Sequence, residues 1–502
     1  MKPTYWFLPF IAVALCQSTL FGSPNIVFIL ADDLGFGDIG ANNPDSRIPT
    51  PAMDRIATEG MRFTDAHSPS AVCTPTRYGI LTGRYCWRTR LKSSVLWGID
   101  GSLIDPNRNT LAKVLQSKDY TTACIGKWHL GMDFYDANGE IVPSNREYER
   151  TQGIDQVDYS RKIGNSPLSY GFDYSYVITG SLNMFPYSYI EGDRFTEAAT
   201  DFQPKTEHQI SIISGGPKAP GFDFEKVVDV FTEKAVSFID ESAKNENPFF
   251  LYLPLTAPHK PVLPTSSFQG KSKYGIYGDF VMQVDDVVRQ IDAALEKNNL
   301  KQNTLLVLTS DNGSFMYRLS KDETDHVEDF KAVGYHTENH QSNHIWRGTK
   351  ADIYEGGHRV PMLVRWPGKV QADSTCDQTT TLTDWYATFS EIVSYKLSQQ
   401  EAEDSFSILS LLQGASSWNR PPIINHSIAG MFAFRDGKWK LIAGNGSGGR
   451  QQPRGINFER PYQLYNLAED PSEKMNLAAS HPETVAKLEA ALKTIQDRGR
   501  SR

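Results

Sequence analysis

Cysteine and positive charge are both scarce in this sequence. Its 502 residues include five cysteines, and 51 lysines and arginines stand against 59 aspartates and glutamates, a formal net charge of -8. So few cysteines exclude a disulfide-rich scaffold, and the absence of a C-x-x-C pair argues against zinc. Without a basic surface we expect no nucleic-acid partner, because an anionic polymer would need a local cationic pocket.

The apolar run FLPFIAVALC (7–16) is too short to span a bilayer as an anchor. Lys2 precedes the run and small or polar residues follow it, which is the arrangement of an export signal. We therefore predict a signal peptide over residues 1–23, with cleavage between Cys16 and Ser23. The protein would be periplasmic or secreted, with no membrane span after signal removal.

Short, β-branched apolar runs alternate with helical segments, the pattern of an α/β sheet covered on both faces. We predict strands over residues 24–30, 120–126, 248–255, 303–310 and 361–366. The first four are followed by charged or metal-competent residues: Asp32 and Asp33, Lys127 and His129, His259, and Asp311 and Asn312. Ligands of open α/β sheets sit outside the carboxyl ends of the strands, so the coincidence predicts a functional site at that edge.

Helical spacing of apolar residues marks the segments between these strands. It predicts helices over residues 50–63, 110–120, 280–298, 382–395 and 483–499. A polar stretch at 396–405 precedes short strand patterns within 430–444. We therefore predict a main domain over residues 24–395 and a smaller C-terminal domain over residues 396–502, with an antiparallel sheet and a terminal helix.

The stretch AVCTPTRYGILTGRY (71–85) places a cysteine two residues before a proline. Pro75 suits the first turn of a helix, so Cys73 would lie at or just before a helix N-terminus, where negative charge is favoured. Arg77 follows about one turn later and can point back past residue 73. A buried structural cysteine leaves the arginine unexplained, so the pair indicates a nucleophile attacking an anionic centre. Among the other cysteines retained after export, Cys86, Cys124 and Cys376, one disulfide is possible.

Cys73-Thr74-Pro75-Thr76-Arg77, followed by LTGR (81–84), resembles the signature of the type I (formylglycine-dependent) sulfatases of the alkaline phosphatase superfamily. Further segments are similar to that family, in its order: NIVFILADDLGFGDIG (25–40), GKWHLG (126–131), TSDNG (309–313), RGTKADIYEGGHRVP (347–361) and LYNLAEDPSEKMNLA (464–478). The resemblance implies an alkaline-phosphatase-like α/β fold, a large mixed sheet sandwiched by helices with a smaller C-terminal domain.

The resemblance assigns four residues to one calcium ion: Asp32, Asp33, Asp311 and Asn312. Hard oxygen ligands suit Ca²⁺ first and Mg²⁺ second. It also implies that a maturation enzyme oxidises Cys73 to formylglycine (3-oxoalanine), which adds another oxygen ligand. In that family one hydroxyl of the hydrated aldehyde attacks sulfur, and deprotonation of the other then expels sulfate.

Catalytic roles for five further residues follow from the same resemblance. Lys127, Lys350 and Arg77 would hold the sulfate oxygens. His259 would protonate the leaving alcohol, and His129 would take the proton that releases sulfate.

By overall likeness the chain resembles the arylsulfatase A and N-acetylgalactosamine-6-sulfatase-like bacterial branch. This implies an exo-acting carbohydrate sulfatase of polysaccharide or glycosaminoglycan breakdown, with galactose or N-acetylgalactosamine 6-sulfate as the leading substrate. The aromatic and polar segment 180–194 is a candidate sugar-binding loop, with Asn183 and Tyr187 as candidate contacts.

Three further candidate sugar contacts recur at four-residue spacing: His336, His340 and His344. The spacing fits either transition-metal binding on one helix face or a polar loop at the pocket mouth. No carboxylate or cysteine completes an obvious metal site, which favours the loop. Two other functions stay open: a phosphodiesterase or phosphonate monoester hydrolase of the same superfamily, and an inactive calcium-dependent protein that binds sulfated glycans.

Overall fold

The computed structural model describes residues 22–143, 156–206, 209–316 and 340–502. The strands of the larger part are β1 (Asn25–Asp32), β2 (Met61–Phe63), β3 (Ala66–His67), β4 (Thr121–Lys127), β5 (Tyr174–Ile178), β6 (Ile190–Glu191), β7 (Arg194–Phe195), β8 (Asp201–Gln203), β9 (Gly216–Lys218), β10 (Phe249–Pro258), β11 (Thr304–Ser310), β12 (Met362–Arg365), β13 (Ser374–Cys376) and β14 (Thr380–Thr381). Those of the C-terminal part are β15 (Ile423–His426), β16 (Phe432–Asp436), β17 (Trp439–Ile442) and β18 (Gln463–Asn466). The helices are α1 (Pro51–Thr58), α2 (Cys73–Thr82), α3 (Leu111–Gln116), α4 (Val227–Ser242), α5 (Gly275–Lys297), α6 (Glu355–His358), α7 (Asp384–Ile392), α8 (Leu409–Leu412) and α9 (Pro482–Arg498).

The main sheet has ten strands in the order β13-β2-β12-β11-β1-β10-β4-β5-β6-β7. Its centre is parallel, since β1 pairs in parallel with β10 and β11, β4 with β10, and β5 with β4. β12 runs antiparallel to both of its neighbours. The mixed sheet flanked by helices confirms the predicted fold class.

β1 shows why both faces of this sheet are covered. All eight of its residues are buried, as expected of a central parallel strand. Alternate side chains belong to opposite cores: Phe28 packs with Trp385 of α7, whereas Ile29 belongs to the core that contains Phe280 of α5. This period of two places helices on each face.

The C-terminal part forms a separate antiparallel sheet in the order β15-β16-β17-β18, as predicted. Helix α9 packs against it through Leu488 and Leu492, and the same core takes in Tyr85 and Trp87 from the segment after α2. The two sheets are therefore joined by a shared apolar cluster.

The expected helix over 50–63 is wrong in its second half. Helix α1 ends at Thr58, and Met61–Phe63 forms strand β2 at the edge of the main sheet. A side chain at Gly60 would collide with the carbonyl oxygen of Val364 on β12, so the sequence turns there where only glycine fits. The other predicted helices are present with boundaries shifted by a few residues.

Two further features of the fold concern the state of the cysteines and the length of the apolar helices. Within the described ranges each cysteine is a free, buried thiol: Cys73, Cys86, Cys124 and Cys376. The helices resolved in those same ranges include none with the length and apolar character that crossing a bilayer requires.

Candidate active site

The four strands β11, β1, β10 and β4 are adjacent and parallel, so their carboxyl ends meet at one edge. Because Ala31 pairs with Ser310 and Asp32 with Pro258, the residues that follow are neighbours too. This register brings Asp32, Asp33, Asp311, Asn312, Lys127, His129 and His259 to the same place, as the sequence predicts. All but His259 are fully buried.

Each carboxylate of the site accepts a hydrogen bond from a different cation, and Arg77 Nη2 also lies 3.7 Å from Asp32 Oδ1. Lys127 Nζ donates to Asp32 Oδ2 at 2.7 Å, Arg77 Nη2 to Asp311 Oδ2 at 2.7 Å, and Lys350 Nζ to Asp33 Oδ1 at 2.6 Å. Burial acts to raise the pKa of Asp33, but the charges of Lys350 and His259 outweigh it and lower that pKa. Burial, reinforced by Asp32, raises the pKa of Asp311. Three cations thus balance three carboxylates at the bottom of the site.

Two oxygens of this cluster lack a protein donor. Asp32 Oδ1 and Asn312 Oδ1 are buried and accept no hydrogen bond from any described residue. Ligand atoms of Asp32, Cys73 and Asp311 lie within 4.8 Å of one another. Buried oxygens without donors, in a set dominated by carboxylate and amide groups, fit a hard divalent cation.

Cys73 is the first residue of α2 and is 2% exposed, so it lies at the helix N-terminus, in agreement with the sequence prediction. Arg77, one turn on, also donates from Nη1 to the carbonyl oxygen of Lys127 at 2.8 Å, which fixes its guanidinium beneath residue 73. Burial raises the pKa of the Cys73 thiol, although Lys127 and Lys350 oppose the rise. An unmodified thiol here would be protonated and a poor nucleophile.

The two histidines are oriented by backbone carbonyls. His129 Nε2 donates to the carbonyl oxygen of Leu96 at 2.7 Å, and His259 Nδ1 donates to that of Lys260 at 2.5 Å. A carbonyl only accepts, so the other nitrogen of each neutral ring carries the lone pair. His259 Nε2 lies 3.7 Å from Asp33 Oδ2, whereas His129 Nδ1 is buried without a partner in the described segments.

The candidate sugar contacts lie in different settings. Asn183 is half-buried, while Tyr187 is buried and its hydroxyl donates to the carbonyl oxygen of Ser214 at 2.7 Å. His340 is buried, with its Nε2 2.7 Å from Asp38 Oδ1. His344 lies beside Trp346 and is half-buried, and His336 falls outside the described residues. The prediction that these residues contact a sugar stays a prediction.

Strand β5 and the residues after it are the part of this edge that the sequence reading missed. β5 is parallel to β4, so Thr179 and Ser181 also follow a strand at the same edge. The run YSYVI is short and rich in aromatic and β-branched residues, a signal that could have identified it.

Comparisons with known proteins agree with this geometry. The family model described as Sulfatase matches residues 24–395. An N-acetylgalactosamine-6-O-sulfatase of Bacteroides thetaiotaomicron is 31% identical, with 95% of this chain and 93% of that protein covered. Arylsulfatase G of Rattus norvegicus is 28% identical over 97% of this chain and 89% of its own length. A solved structure described under the metabolism of multiple glycosaminoglycans by Bacteroides thetaiotaomicron superposes with a TM-score of 0.80 at 29% identity, covering 95% of this chain and 99% of that one.

Proposed function

The chain belongs to the sulfatase family of sulfuric ester hydrolases, and on that premise we propose that it is an exported enzyme that removes 6-sulfate groups from galactose-type sugars by exo action. The observation that carries the proposal is the meeting, at one sheet edge, of Cys73 at a helix N-terminus with three cations and four oxygen-bearing side chains. This arrangement suits an anionic ester whose leaving group needs a proton.

We propose Ca²⁺ as the resident ion, held by Asp32, Asp33, Asp311 and Asn312. The orphaned oxygens of Asp32 and Asn312 support this choice, and the site offers hard oxygen donors. When bound, the ion supplies positive charge that stabilises the sulfate oxygens during cleavage. The three cations already offset the three carboxylates, so a divalent ion leaves the site positive.

We further propose that Cys73 is converted to formylglycine. The raised pKa of the buried thiol supports this, because a protonated thiol cannot act as the nucleophile at neutral pH. When hydrated, the aldehyde supplies a hydroxyl nucleophile and a second hydroxyl for release of the product.

The protein's own side chains bind and orient the ester. Lys127 and Lys350 flank residue 73, as the influence of both charges on its pKa indicates. A hydrogen bond from a cation to an anion contributes little in water but is strong in this site, because the site excludes solvent. Arg77 keeps Asp311 in place through two hydrogen bonds of 3.0 and 2.7 Å.

The histidines are set for opposite proton transfers. His129 presents an unprotonated Nδ1, and burial together with Lys127 and Arg77 lowers the pKa of His129 well below its ordinary value, so it is ready to act as a base. Burial and Lys350 lower the pKa of His259 well below its ordinary value, although the Asp33 carboxylate, whose Oδ2 lies 3.7 Å from His259 Nε2, opposes the fall. Only the imidazolium form, with a hydrogen on both ring nitrogens, can pass a proton from His259 Nε2 to the leaving oxygen, so His259 acts as the acid in that form.

The sugar part of the proposal is supported by the N-acetylgalactosamine-6-O-sulfatase relative and by the glycosaminoglycan context of the superposed structure. Export is supported by the signal-like sequence at residues 1–23. A maturation enzyme that forms formylglycine is the partner that the modification requires.

One experiment tests both activity and modification. We expect the chain, produced with a formylglycine-generating enzyme, to release sulfate from N-acetylgalactosamine 6-sulfate and from galactose 6-sulfate, with far slower turnover of phosphate esters. The peptide that contains residue 73 should weigh about 18 Da less than the encoded mass. C73A should abolish both, whereas C376A, which removes another buried thiol, should change neither. Phosphate diesters as the better substrates would overturn the proposal.

Removal of the ion provides a second test of the proposed function. Treatment with a calcium chelator should lower activity and the unfolding temperature, and added Ca²⁺ should restore both, because a ligand that binds only the folded state stabilises it. Restoration by Zn²⁺ but not by Ca²⁺ or Mg²⁺ would contradict the proposed ion.

A further inference from the structure

Two segments beside His129, 96–98 and 179–183, carry buried polar atoms that the proposed mechanism does not use. The atoms are Trp97 Nε1, Thr179 Oγ1, Ser181 Oγ and Asn183 Oδ1, each without a hydrogen-bond partner among the described residues. Thr179 is 2% exposed and Ser181 is 1% exposed. Buried polar groups are nearly always hydrogen-bonded, so these four retain hydrogen-bonding capacity that a ligand can use.

These atoms come from two backbone segments that flank the imidazole of His129. The carbonyl oxygen of Thr179 accepts a hydrogen bond from His129 N at 3.0 Å, and that of Leu96 accepts from His129 Nε2 at 2.7 Å. The position that a Cβ of Gly180 would occupy is 3.6 Å from both His129 Cδ2 and Gly98 Cα. The segments 96–98 and 179–183 are therefore packed together next to the proposed catalytic base.

Glycine is what allows the two segments to meet so closely. A side chain at Gly98 would collide with the carbonyl oxygen of Phe185, and its Cβ would lie 3.2 Å from Thr179 Oγ1. The loop of 183–187 is itself fixed, since Ser214 N donates to the carbonyl oxygen of Asn183 at 3.1 Å. A fixed backbone with unpartnered side chains is a preorganised binding surface.

The two packed segments, 96–98 and 179–183, form a wall that carries no charge. Neither 96–98 nor 179–183 contains an ionisable side chain. Its groups are one indole donor, hydroxyls that donate and accept, and one amide. Trp97 is also half-buried, which leaves part of an indole surface for the C–H face of a pyranose ring.

We propose that Trp97, Thr179 and Asn183 form the specificity-determining wall that binds uncharged hydroxyl or acetamido groups of the sugar ring whose sulfate is removed. The inference rests on the proposed sulfatase function and adds the residues that select the sugar, which that function leaves open. The ring that bears the scissile sulfate carries no second negative group on the side that faces this wall.

The test compares a sugar substrate with one that has no sugar groups. T179V and N183A should each raise KM for N-acetylgalactosamine 6-sulfate by about threefold to tenfold, the loss expected for one neutral hydrogen bond. Turnover of 4-nitrophenyl sulfate should change less than about twofold, because its ring offers the wall no hydroxyl. T179S, which keeps the hydroxyl, should restore the sugar KM.

Matched controls exist elsewhere in the chain. Thr380 Oγ1 and Asn466 Oδ1 are also buried without partners in the described structure, but they lie on β14 and β18, which contribute no residue to the site. T380V and N466A should leave both substrates unaffected. Equal losses on both substrates in T179V and N183A, or no loss on the sugar, would overturn the inference.

Binding separates this inference from the proposed function. If no sulfate ester is turned over, the proposed function fails, and calorimetric titration of the full chain with N-acetylgalactosamine 6-sulfate still measures the wall. Weaker binding to N183A by threefold to tenfold would support it. Identical binding to the unsubstituted protein and to N183A would refute it.

Discussion

At the scale of single residues, the backbone carbonyl that each histidine contacts decides which of its ring nitrogens stays available, in fully buried His129 and in partly exposed His259 alike. His129 Nε2 donates to the carbonyl oxygen of Leu96, and His259 Nδ1 donates to that of Lys260. The opposite ring nitrogens, His129 Nδ1 and His259 Nε2, therefore remain available for proton transfer. His129 also has a φ of 55°, a left-handed conformation that is costly for a residue with a side chain. That conformation is held by the hydrogen bond from His129 N to the carbonyl oxygen of Thr179.

We expect H129A to lower kcat for sulfate esters by about 10²–10⁴, the range for loss of a general base, with a smaller change in KM. The reason is that Nδ1 is the one imidazole nitrogen at this position without a carbonyl partner. Steady-state kinetics on 4-nitrophenyl sulfate measures the effect. H481A, which alters a histidine at the start of α9, is the control and should behave like the unsubstituted protein. A loss below tenfold would remove His129 from catalysis.

At the scale of elements, helix α1 begins without a cap of its own. Pro51 occupies its first position and the Thr50 side chain makes no capping bond. Asp285 of α5 takes that role: its Oδ1 accepts from Ala52 N at 3.0 Å and from Met53 N at 2.8 Å. Burial raises the pKa of Asp285 from 3.8 to about 6, although these two N–H groups oppose the rise.

The stability of the protein should therefore fall as Asp285 ionises. A pKa that is higher in the folded state means that the folded state binds the proton more tightly, so this contribution is fully present below pH 3.8 and is lost as the pH rises through about 6. The shift corresponds to at most about 3 kcal/mol. D285N keeps the acceptor oxygen without the charge, so its free energy of unfolding should exceed that of the unsubstituted protein at pH 7 and match it near pH 4.

D285A is the companion variant. It removes the acceptor and leaves two buried N–H groups at the start of α1, so near pH 4 it should lower the free energy of unfolding by about 1–2 kcal/mol. This difference from the unsubstituted protein should shrink as the pH rises through about 6, because alanine has no charge to bury. Denaturant titration of both variants between pH 4 and pH 8 separates the charge from the cap. A D285N variant that is less stable than the unsubstituted protein at pH 7 would contradict the raised pKa.

The central strands were predictable because each combines a short apolar run with chemistry at its carboxyl end. The end of α1 was not, since the turn at Gly60 depends on the backbone of β12, which is distant in sequence. β5 was missed although its five aromatic and β-branched residues favour a strand; only its place at the site edge, set by parallel pairing with β4, has no local signal. The catalytic residues lay within local motifs, whereas the polar wall depends on two loops that meet only after folding.

At the scale of the whole molecule, a buried ionic cluster joins the two sheets. Lys440 of β17 lies 3.0 Å from Glu355 Oε1 of α6 and 2.8 Å from Glu473 Oε1, and it is 1% exposed in its side chain. Arg435 of β16 makes a two-point contact with Asp65 at 2.9 and 2.8 Å. The C-terminal sheet thus supplies cations for carboxylates of the larger part.

The same junction supports Lys350. In the loop after β17, Ser447 accepts at its carbonyl oxygen from Ile353 N at 2.8 Å, and Arg450 N donates to Asp352 Oδ1 at 2.5 Å. Asp33 raises the pKa of Lys350 above its ordinary value against the effect of burial, and Arg450 lies near enough to oppose that rise. The position of Lys350, a proposed catalytic residue, therefore depends on the C-terminal part, and loss of the ionic cluster should alter the candidate active site.

We expect K440M to reduce the free energy of unfolding by about 3–5 kcal/mol, because it leaves Glu355 and Glu473 buried without their shared cation. Denaturant unfolding measures the loss, and kcat/KM on 4-nitrophenyl sulfate should fall with it, since the loop that holds the Lys350 segment follows β17. Burial and Glu355 raise the pKa of Glu473 to about 7, against the charge of Lys440. Without the lysine, Glu473 is therefore the carboxylate that should take up a proton.

E473Q makes that argument testable as a double-mutant cycle. E473Q removes the charge that K440M would leave buried without a cation. The double variant should therefore lose about 0.5–3 kcal/mol less unfolding free energy than the sum of the two single losses. K438M, which changes the exposed lysine immediately before Trp439, is the control and should lower the free energy of unfolding by less than about 0.5 kcal/mol. Strictly additive losses of unfolding free energy would mean that Lys440 and Glu473 act independently. The buried ionic cluster would then not be the interaction that stabilises the C-terminal sheet against the larger part.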